Sequence, residues 1–168
     1  MPNSDPISLS NLQMLIKAGI DQTHPLPYWV TAEISELKVN YSGHCYLELV
    51  EKGGANHVPK AKATGIIWRS TYAMLEPYFR QMTGQTLSAG LQVLIKVVVT
   101  YHELYGLSLQ ITDIDPAYTL GDMERQRQET IARLQEDGVY DMNRELELPA
   151  VMQRIAVVSS RNAAGYQD

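Results

Sequence analysis

Apolar and polar residues alternate with a period of two in five separate stretches of this chain, and helical spacing takes over in three others. From Trp29 onward, Val30, Ala32 and Ile34 interleave with Thr31, Glu33 and Ser35, the pattern of a half-buried strand. After the turn chemistry of VNYSG, the stretch HCYLELVE (44–51) sets Cys45, Leu47 and Leu49 on one face and His44, Tyr46 and Glu48 on the other. A partly basic loop (51–60) leads into AKATGIIW (61–68), a third strand whose Gly65 marks a bulge or a close backbone approach. The alternation is clearest in LQVLIKVVVTYHE (91–103), where Leu91, Val93, Ile95, Val97, Val99 and Tyr101 share one face. ELYG is a tight turn, and residues 107–114 then alternate again with Leu107, Leu109 and Ile111 inward.

The helical stretches punctuate this pattern. Residues 8–19 predict a short helix capped by Ser8 or Ser10, with Leu12, Leu15 and Ile16 as its apolar face and Gly19 as its stop. Residues 69–84 place Tyr72, Leu75 and Phe79 at helical spacing and close on Gly84, while Pro77 predicts a short or kinked helix. Residues 120–138 form a third helix, with Asp122 as N-cap, Gly138 at the stop and a thin apolar face of Met123, Ile131 and Leu134. The order is therefore three strands, a helix and two strands. Five short antiparallel-type strands with a helix between the third and fourth is the order of a mainly β, five-stranded OB-fold barrel, flanked by N- and C-terminal helices.

A last apolar run, Ile155 to Val158, precedes Ser159, Ser160 and a cluster of small residues, as where a buried strand leaves the sheet of an α/β domain. A lone strand of that type lacks pairing partners, so the run is expected to open a second domain. The expected divisions are an N-terminal helical arm (1–25), the OB-fold (26–120), a connector helix and linker (121–148), and the truncated start of an α/β domain (149–168).

Composition narrows the function. Apolar residues make up 45% of the 168, enough for a core, and no run of eighteen apolar residues predicts a membrane span. The N-terminus lacks a basic n-region and an apolar h-region, and the single cysteine, Cys45, cannot build a disulfide framework; both fit a cytoplasmic protein. The net charge of −5 by itself argues against nucleic acid. Its distribution does not: residues 38–100 carry seven basic against three acidic residues, and the remainder seven against sixteen.

Catalytic signatures are missing from the sequence: no GxGxxG, P-loop, HExxH or GxSxG, and no His or Cys pair at zinc-ligand spacing. No metal is expected, and Cys45 reads as a small core residue. The candidate chemistry lies instead on polar strand faces, where Tyr46, His44, Trp68 and Arg69 combine with Lys38, Lys60, Lys62 and Lys96. Aromatic rings that stack on bases beside cations that follow phosphates are what a single-stranded nucleic-acid groove requires. The same faces also serve a structural cross-strand role, a protein-docking OB-fold or an RNA-binding module.

At these residues a resemblance emerges. WVTAEISELKVNYSGHCYLELVE (29–51), GIIWRSTYAML, LQEDGVYDMNRELELP and RIAVVSSRNAAGYQD together resemble the exodeoxyribonuclease VII large-subunit family, in the family's order and from about residue 7 to the end. Glu33, Ile34, Ser35, Ser42, Gly43, His44, Tyr46 and Leu49 fit its first two strands, and Trp68–Arg69 its aromatic–Arg pair. Two places depart: the family often has an aromatic where Cys45 stands, and T-G-A where Asn162-Ala163-Ala164 stand. The resemblance implies an N-terminal fragment of a nuclease that degrades single-stranded DNA from its ends to oligonucleotides. It also implies a small helical partner subunit and no strict need for divalent metal or another cofactor. Asp168 matches a catalytic acidic residue whose companions would lie further along, so the fragment alone is expected to be inactive.

Overall fold

A computed structural model describes residues 6–53, 58–147 and 151. Five strands, β1 (Tyr28–Val39), β2 (Cys45–Glu51), β3 (Ala61–Ile67), β4 (Gln92–His102) and β5 (Gly106–Asp115), close into a barrel in the order β1-β2-β3-β5-β4. Helix α2 (Arg69–Thr83) lies between β3 and β4, α1 (Leu9–Thr23) precedes the barrel, and α3 (Pro116–Glu136) follows it. The expected mainly β OB-fold is what the chain forms. Two compact units divide the chain, residues 1–127 and 128–168.

Closure rests on β1. Its first half, Tyr28 to Glu33, pairs with β4, and its second half, Glu33 to Val39, pairs with β2. A bulge at Ser35 interrupts the pairing with β2, since Ile34 faces Leu49 while Glu36 already faces Glu48. The Ser35 hydroxyl donates to the Glu48 carbonyl (3.3 Å) and to its carboxylate (2.9 Å), pinning the extra residue. A second bulge on β5 lets Ile111 and Ile114 both reach the interior although they differ by an odd number of positions. The strict alternation expected over 107–114 therefore shifts at Thr112, whose hydroxyl bonds the Lys96 carbonyl (3.2 Å). At the other end of that stretch Leu107 is half exposed instead of inward.

The interior is filled by Ala32, Ile34, Cys45, Leu47, Leu49, Ile67, Val93, Ile95, Val97, Ile111 and Ile114, with Leu75, Phe79 and Leu87 joining from α2 and its following loop. Phe79 is fully buried. Helix α2 runs through Pro77 for its full 15 residues and ends on Gly84 in the left-handed conformation (φ +74°). It is thus not short, because the packing of Leu75 and Phe79 on the barrel outweighs one missing N–H. Gly65 involves no bulge: β2 and β3 keep register across it. Its role is close approach, by side chains and not backbone, since a Cβ there would stand 3.1 Å from the δ-methyls of both Ile111 and Leu49.

The flanking helices depart from the sequence expectations. Ser8 does cap α1, accepting from the Asn11 N–H (3.2 Å), but Gly19 does not end it. A helix tolerates one interior glycine at a cost of about 1 kcal/mol, and termination falls where His24 precedes Pro25. Leu12, Leu15 and Ile16 do share a side, but all are exposed; polar contacts tie the helix to β4 and the turn after it, Tyr101 donating to Gln13 and Lys17 pairing with Glu103 (3.1 Å). Helix α3 starts at Pro116, six residues before the expected Asp122 cap. Asp115 is the capping side chain, accepting from the Ala117 N–H (2.9 Å), and proline suits the first helical position. Thr119, fully buried, donates to the Gln92 carbonyl (2.8 Å) and ties the helix start to β4.

Because the space beside Gly65 is already filled, Gly65→Val is expected to lower stability by about 1–3 kcal/mol. Urea denaturation would show this as a lower midpoint with an unchanged slope.

Candidate nucleic-acid interface

The β1–β2 turn, the end of β3 and the start of α2 meet at one corner of the barrel. Asn40 builds the turn: its N–H donates to the His44 carbonyl, its carbonyl accepts from Gly43, and its side-chain oxygen accepts from the His44 N–H, all at 2.9 Å. Gly43 sits at φ +85°, and a Cβ there would lie 3.0 Å from Cγ of Arg69, so the arginine stem rests directly on the glycine. His44 projects from this turn to the start of α2. Its Nδ1 accepts from the Arg69 N–H (3.1 Å), which fixes the proton of a neutral ring on Nε2. Trp68 occupies the N-cap position without capping through its own side chain. The imidazole does that work and meets the indole edge-to-face, with centroids 5.1 Å apart and planes at 89°. Trp68 remains 41% exposed, so its ring is oriented and still open to a base.

From this corner the outer face of β2–β3 can be read by register. Lys38 faces Tyr46, which faces Ile66; Glu36 faces Glu48, which faces Thr64; Lys62 lies beyond. Strand β5 runs parallel to β3 with Gly65 beside Leu109, so the β4–β5 turn falls at the level of Lys62. The two turns that usually flank an OB-fold binding face therefore bound this one, and each carries an exposed tyrosine, Tyr41 in one and Tyr105 in the other. Tyr105 leans on His102, with ring centroids 4.8 Å apart. Sequence reasoning missed both tyrosines. The available signal was an aromatic inside a turn that has no core to enter.

The expected site residues thus separate into three groups. Trp68, Arg69, His44, Tyr46 and Lys38 are brought together at the corner. Lys62 and Lys60 lie at the far end of β3, about 20 Å away at ~3.3 Å per residue. Both carry carboxylate partners, Lys62 on Glu48 (2.7 Å) and Lys60 on Glu51 (3.3 Å). The Lys62 ammonium, followed by the Ser35 hydroxyl, holds the Glu48 carboxyl below its usual range. At neutral pH the pair therefore persists, and it releases only as pH falls through that lowered value. Lys96 does not join the other lysines: β4 pairs with β1 and β5, placing Lys96 opposite Trp29. Asp168 lies outside the described residues.

Electrostatics sharpen the division. Seven cations lie between residues 38 and 96. Lys52, Lys60 and Lys62 pair with Glu33, Glu51 and Glu48, whereas Lys38, Arg69, Arg80 and Lys96 have no carboxylate partner among the described residues. Three of those four stand next to an exposed aromatic: Lys38 by Tyr46, Arg69 by Trp68, Lys96 by Trp29. Cys45 belongs to the interior, where burial pushes its thiol up to about 11, so at neutral pH it is neither a nucleophile nor part of the stacking face. Among the described residues no group of three or more His, Cys, Asp or Glu could hold a metal ion, and no helix is long and apolar enough to cross a membrane.

Comparison with known proteins agrees with this geometry. Residues 7–115 match the family model described as an OB-fold nucleic acid binding domain. The chain is 38% identical to the Exodeoxyribonuclease 7 large subunit of Deinococcus radiodurans, over 99% of its own length and 41% of that protein. It is 27% and 26% identical to the proteins of the same name from Rhodopirellula baltica and Stenotrophomonas maltophilia, again over 99% of its length and 34% of theirs. The chain therefore spans well under half the length of these relatives. With the closed five-stranded barrel, its oriented aromatic–cation corner and a family match over most of the chain, this protein belongs to the OB-fold nucleic acid binding domain family.

Proposed function

We propose that the barrel is the substrate clamp of an exodeoxyribonuclease VII large subunit. It holds single-stranded DNA and feeds it to a catalytic domain that cuts from the ends and releases oligonucleotides. The observation that carries this is the Trp68–His44–Arg69 corner, where a solvent-open indole and a guanidinium are held on one OB-fold face by neighbours that fix both. Pre-setting a stacking ring removes ordering cost from binding, and a cation beside it catches the adjoining phosphate. Bases stack on Trp68 and Tyr46, while Arg69 and Lys38 contact the backbone. Lys62 and Lys60 exchange their carboxylates for phosphates, a small cost because exposed ion pairs contribute only about 0–1 kcal/mol.

In this proposal residues 26–120 bind, 121–148 connect, and 149–168 open the catalytic domain with Asp168 as one of its acids. The small helical subunit is a partner, no metal or other cofactor takes part, and the enzyme works in the cytoplasm. The similarity to proteins named Exodeoxyribonuclease 7 large subunit supports the nuclease reading, and that name fits a partner small subunit. The chain by itself captures DNA without cutting it, because phosphodiester hydrolysis needs several groups converging on one phosphate.

Fluorescence anisotropy of a labelled single-stranded oligonucleotide, with duplex and RNA competitors, tests the clamp. Binding should prefer single-stranded DNA, and Trp68→Ala should weaken it about 5- to 150-fold (~1–3 kcal/mol) with its salt dependence retained. Failure to bind single strands at low salt would overturn the proposal. Glu48→Gln frees Lys62 from its partner and should tighten binding about two- to fivefold, with a steeper salt dependence. An unchanged salt slope in that variant would remove Lys62 from the interface.

A further inference from the structure

The barrel carries a second aromatic–cation pair on a different face. Trp29 is half exposed on the outer side of β1, and the Lys96 ammonium lies 6.0 Å from its ring centroid, across the β1–β4 pairing. Both side chains are fixed to strands, and the register between Tyr28↔Val97 and Glu33↔Gln92 is continuous around them. Lys96 has no carboxylate partner among the described residues. Asp113, its cross-strand neighbour on β5, turns its carboxylate to the Ile114 N–H (2.9 Å) instead. This pair is not an extension of the corner around Trp68. Trp29 lies nine residues before Lys38 on β1, on the other side of the Ser35 bulge and on the half of the strand that pairs with β4.

We infer that Trp29 and Lys96 form a second nucleic-acid subsite, which takes an unpaired base on the indole and the adjoining phosphate on the ammonium. Its ligand is a further stretch of the same single strand that occupies the β2–β3 face. The inference rests on the reading of that face as the clamp. Three observations support nucleic acid as the occupant: the ring is open, the cation has no ion-pair partner among the described residues, and Arg69 and Lys38 likewise neighbour the exposed aromatics Trp68 and Tyr46. A lone exposed tryptophan would suit many partners. An exposed tryptophan with an ammonium beside its ring, on a barrel that also sets Arg69 and Lys38 next to exposed aromatics, suits a polyanion with stacking groups. The consequence is a footprint set by two platforms, so that short oligonucleotides engage one and long ones both.

The chain contains only two tryptophans, Trp29 and Trp68, one on each platform. Trp68→Phe and Trp29→Phe forms of the full 168-residue chain therefore report the platforms separately by intrinsic fluorescence. They are titrated with homothymidine oligonucleotides of about 5 and about 20 nucleotides, lengths chosen around the ~4–16 nucleotides of an OB-fold footprint. The short oligonucleotide should quench Trp68 alone and the long one both. Lys96→Gln should weaken the long oligonucleotide about three- to tenfold, leave the short one unchanged, and reduce the salt slope by about 0.7. Trp68 quenched with Trp29 unaffected at saturating long oligonucleotide would overturn the second subsite and leave the clamp standing. Neither quenched would overturn both. Trp29 fluorescence that changes with protein concentration in the absence of DNA would assign the face to a second copy of the chain and overturn the inference. Should Trp68→Phe fail to fold, Lys96→Gln decides alone, equal weakening of both lengths or of neither counting against the subsite.

Discussion

Strand β1 belongs to two pairings at once, and the bulge at Ser35 keeps its inward face in phase along the second of them. Without the extra residue, Ile34 and Leu37, three positions apart on β1, could not both turn toward the interior while the strand stays paired with β2 from Glu33 to Val39. Once β1 is bent, the barrel closes, α2 seals it with Phe79, and the β1–β2 turn is carried to the start of that helix. The corner where His44, Trp68 and Arg69 meet is a product of this closure. Three segments supply it, and each is held by backbone hydrogen bonds before any ligand arrives.

An acidic protein can offer a nucleic-acid face if its cations are distributed well. Here the carboxylates answer some lysines and leave others alone. Lys52, Lys60 and Lys62 are answered, whereas Lys38, Arg69 and Lys96 stand beside open aromatic rings. Net charge therefore says little about binding, because phosphate contacts depend on the local field within about a Debye length of ~8–10 Å. The paired lysines retain a use, since exposed pairs exchange partners at low cost.

Much of the fold was legible because period-two alternation is a direct trace of a half-buried barrel wall. Cys45, Leu47 and Leu49, and Val93, Ile95 and Val97, all face inward as their spacing required. The failures have physical causes. Gly19 reads as a stop, yet a glycine ends a helix only where the chain needs a left-handed residue, as at Gly84 and Gly138. Asp115-Pro116 was a readable helix start, but the strand pattern running up to Ile114 masked it. At the site, Trp68, Arg69, His44 and Tyr46 could be gathered from sequence because β2 and β3 are neighbours joined by one loop. Lys96 could not be placed, since its partner depends on which strands close the barrel. The carboxylates that neutralise Lys62 and Lys60 depend on cross-strand register, which alternation does not specify. Trp29 was passed over as the first residue of a strand, although its odd position against Val30, Ala32 and Ile34 marks it as outward.

Backbone amide shifts on adding a saturating single-stranded oligonucleotide to the isotope-labelled chain would test the central claim most directly. The barrel predicts the largest changes at Gly43, His44, Tyr46 and Arg69, where turn, strand and helix start meet, with α1 unmoved. Changes concentrated on the exposed apolar side of α1, with the corner silent, would contradict the assignment of this face to nucleic acid.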